Sequence, residues 1–106
     1  MSRVGQREAA RRDLVEHFAY LAEEAGLVTA ERFLTHAEAT FNLLATQPCM
    51  GAPLPLRRPE LAGLRKWRVD GFDNFLIFYM PRQDGISVVR VLYATRDWWR
   101  LLGLAS

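Results

Sequence analysis

Apolar residues recur at helical spacing through the first half of the chain and in strand-length runs through the second. Leu14, Phe18, Leu21 and Ala25 fall on one stripe, widened by Val15 and Ala22, and predict an amphipathic helix over Arg7–Ala25. Gly26 follows, where a helix C-terminus favours positive φ. Thr29 is placed to cap a second helix, with Glu31 in its first turn. Ala30, Phe33, Leu34, Ala37, Phe41 and Leu44 then carry an apolar stripe to Thr46, and Pro48 stops it. So short a break between the two predicts an antiparallel helical hairpin.

After residue 63 the period changes. Leu64–Val69, Phe75–Met80 and Ile86–Tyr93 are rich in aromatic and β-branched residues and predict a three-strand meander. Asp84-Gly85 marks a hairpin between the last two strands. Asp70-Gly71 and Asp73-Asn74 mark a looser turn between the first two. The run Phe75–Met80 is apolar on both faces, so it belongs inside a sheet with cover on each side. The first strand alternates instead: Leu64, Lys66 and Arg68 face one way, Arg65, Trp67 and Val69 the other. Ser2–Gln6 is long enough for a short edge strand. The segment 48–59 holds four of the five prolines and predicts an extended connector. A helical hairpin with one apolar stripe per helix needs a sheet to cover. The expected architecture is therefore α+β in two layers: short first strand, two helices, three-strand meander and a short C-terminal tail, on a mainly antiparallel sheet.

Composition adds little to that fold but narrows the chemistry. At 106 residues the chain has the size of one domain, and with half its residues hydrophobic it can build a core without metal or disulfide staples. Cys49 is the sole cysteine, which excludes an internal disulfide, and it is expected to be a small apolar loop residue. The arginine-rich start is followed by no apolar stretch of signal-peptide type, and no apolar run approaches the ~20 residues that span a bilayer. A soluble, cytoplasmic protein is the expectation. His17 and His36 lie on different helices without companions at metal-ligand spacing, and both are expected as exposed helix residues. There is no nucleophile elbow and no glycine-rich phosphate loop. No cofactor and no metal is expected.

The formal net charge is +2, but it is unevenly placed: residues 1–56 sum to −2 and residues 57–106 to +4. One cationic constellation emerges. Arg65, Lys66 and Arg68 lie on the first meander strand, Arg90 on the third and Arg96 just past it, and neighbouring strands ~4.8 Å apart bring such residues together. Cations with aromatic neighbours suit RNA, with arginine on phosphate and tryptophan or tyrosine on bases. They suit an acidic protein partner equally well. The tail Arg96-Asp97-Trp98-Trp99 sets one tryptophan inward and the other outward on any regular element, and tryptophan and arginine are common interface anchors.

Taken in order, REAARRDLVEHFAYLAEEAG, ERFLTHAEATFNLLATQPCMG and LRKWRVDGFDNFLIFYMPRQDGISVVRVLYATRDWW resemble the ParE/RelE superfamily of bacterial type II toxin–antitoxin modules, from about Val4 to Trp99. The resemblance implies a single toxin domain over residues 1–106, found in bacteria and often serving plasmid stabilisation, and a cognate antitoxin whose extended tail wraps and blocks the toxin in a hetero-oligomer. RelE-like members cut mRNA on the ribosome. Lys66, Arg68 and Arg96 match part of their cationic pattern. However, Gly71-Phe72-Asp73-Asn74-Phe75 lacks the arginine expected at the start of the central strand, and the tail has no Tyr or His to move a proton. The long hairpin and the ending VLYATRDWW look more like ParE, whose members inhibit DNA gyrase by binding it. The leading expectation is thus a ParE-like, non-enzymatic gyrase inhibitor with target anchors at Arg90, Arg96, Trp98 and Trp99. Arg65, Lys66 and Arg68 are candidate contacts to phosphate or an acidic partner. The alternatives are a RelE-like ribonuclease acting on ribosome and mRNA, and a degenerate member retaining only antitoxin binding.

Overall fold

The sheet determines where everything else sits. The structure is a computed structural model that describes residues 2–54, 59–95 and 97–102. Its elements are β1 (Arg3–Gln6), α1 (Glu8–Ala25), α2 (Leu27–Thr46), β2 (Ala52–Pro53), a 3-10 turn at Pro59–Leu61, β3 (Arg65–Val69), β4 (Phe72–Arg82), β5 (Gly85–Tyr93) and α3 (Trp98–Leu101). The strands are ordered β1-β5-β4-β3-β2. All pairings are antiparallel except β1 against β5, which is parallel because the helical hairpin forms the crossover between them. The expected α+β architecture is what the chain adopts.

β4 is central, as its two apolar faces predict. Phe75, Ile77 and Tyr79 face the helices and join Phe33, Phe41 and Leu44 of α2 in the main core. Phe78 and Met80 face the other way, into a smaller cluster with Leu64, Val89, Leu92 and Leu102, covered by Trp98. Each such side chain contributes about 1.5–3 kcal/mol when fully buried. The alternation of β3 also holds: Trp67 packs on the helix-side core and Leu64 belongs to the opposite cluster.

Several boundaries differ from the sequence expectation for identifiable reasons. Thr29 does not cap α2. Gly26, at φ 94°, closes α1 and opens α2 by itself, and its carbonyl accepts the first helical bond from the Ala30 N–H. The turn at Asp70-Gly71 is a tight two-residue hairpin, with Val69 opposite Phe72 and Gly71 at φ 82°. Asp73 and Asn74 are therefore strand residues, and β4 starts three positions before Phe75. At the other hairpin the loop is Gln83-Asp84. Gly85, at φ 156°, already belongs to β5, and a Cβ there would collide with the Arg3 backbone. That glycine lets β1 approach. The proline-rich connector contains β2, pinned where Tyr79 OH donates to the Pro48 carbonyl and accepts from the Gly51 N–H, both at 2.8 Å. Residues 55–58 of the connector lie outside the described residues.

The largest departure is on α1. Its buried residues are Ala10, Asp13 and His17, with Leu14 and Leu21 partly buried against the core. Phe18, expected at the centre of the stripe, is only half-buried, while Ala25 is exposed and Val15 is 69% exposed. His17, expected outside, is 9% exposed. His36 is intermediate, its Nδ1 2.9 Å from the Asp70 carbonyl oxygen. The helix is turned toward its polar residues because the sheet edge beneath it needs hydrogen-bonding groups.

Candidate functional site

That edge is the first polar centre. β1 covers β5 only from Gly85 to Val88, where Gln6 is the last partner. Beyond it, β5 would present unpaired backbone groups. α1 supplies the missing partners. The Arg7 N–H donates to the Val88 carbonyl at 2.9 Å. The Val91 N–H donates to Asp13 Oδ2 at 3.0 Å, and His17 Nε2 donates to the Val91 carbonyl at 2.7 Å. Asp13 and His17 stand four residues apart, one helical turn, which matches them to the two sides of one strand residue. Asp13 also accepts from Arg90 Nε at 2.7 Å and Nη2 at 2.9 Å, a two-pronged pair. The hydrogen bond to Asp13 raises the Arg90 pKa against the opposing effect of burial. A bulge in β5 between the residues opposite Phe78 and Tyr79 sits next to Arg90 and resets the strand's alternation.

The second centre is the sheet face opposite the helices. Lys66 and Arg68 project there, across from Phe78 and Leu76 of β4. Trp98 lies over Phe78 with ring centroids 5.4 Å apart, and Lys66 Nζ stands 5.3 Å from the Trp98 ring. Trp99 packs edge-on against Trp98 at 5.5 Å and remains 44% exposed. One tryptophan of the pair is thus seated and the other presented, as the adjacency predicts. Arg68 stands 3.3 Å from Asp73 and stacks by Trp67.

The structure therefore divides the residues that sequence reasoning grouped. It brings Lys66 to Trp98 and Trp99. It commits two nitrogens of Arg90 to Asp13 and turns Arg65 onto the carbonyls of Cys49 and Gly51, at 3.1 and 2.6 Å, where it holds the connector. Arg96 lies outside the described residues. Sequence reasoning missed Asp13 and His17. The available signal was their i,i+4 spacing on the same side of the helix as Ala10 and Leu21, which a hydrophobic pattern does not register.

Two further features bear on partners. Leu14, Val15, Phe18 and Leu34 line an apolar groove of about 220 Å3 on the outer side of the hairpin, and Leu27, Val28 and Leu43 are exposed as well. Among the described residues no three His, Cys, Asp or Glu side chains come together as metal ligands would. No helix among them is long and apolar enough to cross a membrane.

A helical crossover packed on a five-strand mixed sheet, with a short tail on the opposite face, defines a small two-layer α+β domain. Comparison with known proteins makes the assignment specific. Residues 4–98 match the family described as ParE toxin of the type II toxin–antitoxin system parDE, and the chain belongs to that family. Among solved structures, the chromosomal ParDE toxin–antitoxin system from P. aeruginosa is similar at a TM-score of 0.69 and 17% identity, over 88% of this chain and 96% of that one. A conserved hypothetical protein from Helicobacter pylori, HP0894, is similar at a TM-score of 0.45 and 10% identity over 91% and 98% of the two chains. No curated protein matches the sequence.

Proposed function

We propose that this chain, acting as one toxin domain over residues 1–106 in the bacterial cytoplasm, inhibits DNA gyrase by binding it and is neutralised by a cognate antitoxin. The observation that carries the reading is the tail on the open face of the sheet. Trp98 is fixed between Phe78 and Lys66, and Trp99 stands on it with 44% of its surface exposed. A large aromatic held by a seated neighbour loses little freedom on binding, which is what an interface anchor requires. The cations beside it fit a binding surface better than a phosphate-cleaving site: Arg68 has Asp73 at 3.3 Å, and Lys66 faces an indole. Arg96 precedes Trp98 by two positions in the chain and completes the proposed anchor set with Trp98 and Trp99, whereas Arg90 serves mainly to hold β5 to α1.

The antitoxin reading is supported by family membership and by the outer groove of Leu14, Val15, Phe18 and Leu34. An apolar helix surface of this kind is suited to cover by a partner. Expression of the chain alone in a bacterial host tests the proposal. Induction of the DNA-damage response, suppressed by co-expression of the small protein encoded next to the toxin, is expected. Arrest of translation with cleavage of ribosome-bound mRNA would overturn the gyrase assignment in favour of a ribonuclease.

A further inference from the structure

A cavity of about 450 Å3 lies where α1 passes the end of β5, lined by Asp13, Glu16, His17 and Tyr20 on the helix and by Arg90, Tyr93 and Thr95 on and just past the strand. Neither the antitoxin groove nor the tryptophan face uses it. Its chemistry is one-sided. Asp13 is saturated by Arg90 and the Val91 N–H, so the pair forms a neutral floor. Glu16 then leaves the named lining residues with two carboxylates against one guanidinium. Tyr20 and Tyr93 stand edge to face at 6.0 Å and 89°, so their rings meet the space at two angles.

His17 supplies the decisive group. A carbonyl oxygen only accepts, so the 2.7 Å contact to Val91 requires the hydrogen on Nε2. In the neutral ring Nδ1 is therefore an acceptor. The residue is nine-tenths buried, and Nδ1 has no partner among the described residues, yet it is not sealed away as an orphan. It therefore keeps some accessible surface, on a residue that lines the cavity.

An acceptor nitrogen, a carboxylate and two tyrosine rings thus belong to residues that line one cavity, whose charged lining is acidic on balance. We infer that the cavity receives the guanidinium of an arginine side chain carried by a partner polypeptide. A guanidinium offers a planar fork of donors for Glu16 and His17 Nδ1 and a flat cation for the tyrosine rings. A lysine ammonium matches the charge but not the plane. A phosphate or carboxylate meets the Glu16 carboxylate and finds only tyrosine and threonine hydroxyls as neutral donors to offset that repulsion.

The test is NMR titration of the isotope-labelled full chain with N-acetyl-L-arginine methylamide, a blocked arginine. Blocked citrulline serves as the neutral isostere, and free L-arginine as the alternative source of the same group. Expected are saturable shifts confined to the amides of Glu16, Tyr20, Tyr93 and Thr95, together with movement of the His17 Nδ1 resonance. Affinity should fall about three- to fivefold in Glu16→Gln and about threefold in Tyr20→Ala. Both residues are exposed, so retained spectral dispersion confirms folding. Equal binding of citrulline, or unchanged affinity in both variants, would overturn the inference. Tighter binding of free arginine than of the blocked form would overturn the polypeptide source, and no saturable shift would remove the site altogether.

Discussion

Replacing Asp13 with alanine removes three acceptor contacts at once. The side chain is 7% exposed and receives Arg90 Nε, Arg90 Nη2 and the Val91 N–H at 2.7, 2.9 and 3.0 Å. Two consequences add. The Val91 N–H, on a strand edge beneath α1, loses its partner, at about 1–3 kcal/mol. Arg90 loses both of its bonds to Asp13, and breaking such an ion pair from one side costs about 3–5 kcal/mol when burial is complete. Arg90 keeps 23% of its side chain exposed and has a further partner, so its share falls below that range, to about 1–2 kcal/mol. A total of about 3 kcal/mol follows. For a domain of this size that lowers Tm by roughly 12 °C or more. Urea denaturation followed by circular dichroism reads the same loss as a fall of about 2 M in the midpoint at constant m. The double variant Asp13→Ala/Arg90→Ala should lose clearly less than the sum of the single losses, because the two side chains share the bonds that each single change breaks. A single-variant loss below about 0.5 kcal/mol, or additive losses, would refute the account of α1 as the cover of the β5 edge.

Phe41, at 1% exposure, should lose about 3–5 kcal/mol on Phe41→Ala, whereas half-buried Phe18 should lose about 1 kcal/mol; equal losses in denaturant titrations would contradict the orientation of α1. Burial raises the Tyr79 and Tyr93 pKa values, and for Tyr93 the Tyr20 hydroxyl adds to it. A raised acid pKa binds protons more tightly in the folded state, so stability is complete below the ordinary tyrosine value of about 10 and declines as pH rises above it. Tyr79→Phe should soften that alkaline decline while losing about 2 kcal/mol at neutral pH from the Pro48 and Gly51 bonds, as pH-resolved thermal melts will show. Trp99→Ala should leave Tm nearly unchanged and weaken toxicity, while Trp98→Ala should lower both, since only Trp98 covers Phe78.

How far the sequence spoke for the fold depended on whether a residue acts through its own period or through a neighbour's need. The α2 stripe of Phe33, Ala37, Phe41 and Leu44 was legible because each points into one core. β4 was legible because an apolar run with two faces has few places to go in a sheet. The face of α1 was not, because Asp13 and His17 are buried to complete the backbone bonding of β5, and that need arises only once β1 has stopped at Gln6. Gly85 illustrates the same limit. Asp84-Gly85 signalled a hairpin correctly, but the glycine is required by the Arg3 backbone from the far end of the chain. Of the proposed anchors, Trp98 and Trp99 could be read from their adjacency. The partner of Arg90 could not, since its acidic mate lies 77 positions away.

The central claim is that this ParE-family chain acts by binding gyrase. Its most direct test is a DNA supercoiling assay with purified gyrase and purified chain, run beside a ribosome-bound mRNA cleavage assay. Dose-dependent loss of supercoiling, relieved by the adjacent antitoxin and weakened in Trp99→Ala, is the predicted result. Full supercoiling at saturating chain, with mRNA cut on the ribosome, would contradict it.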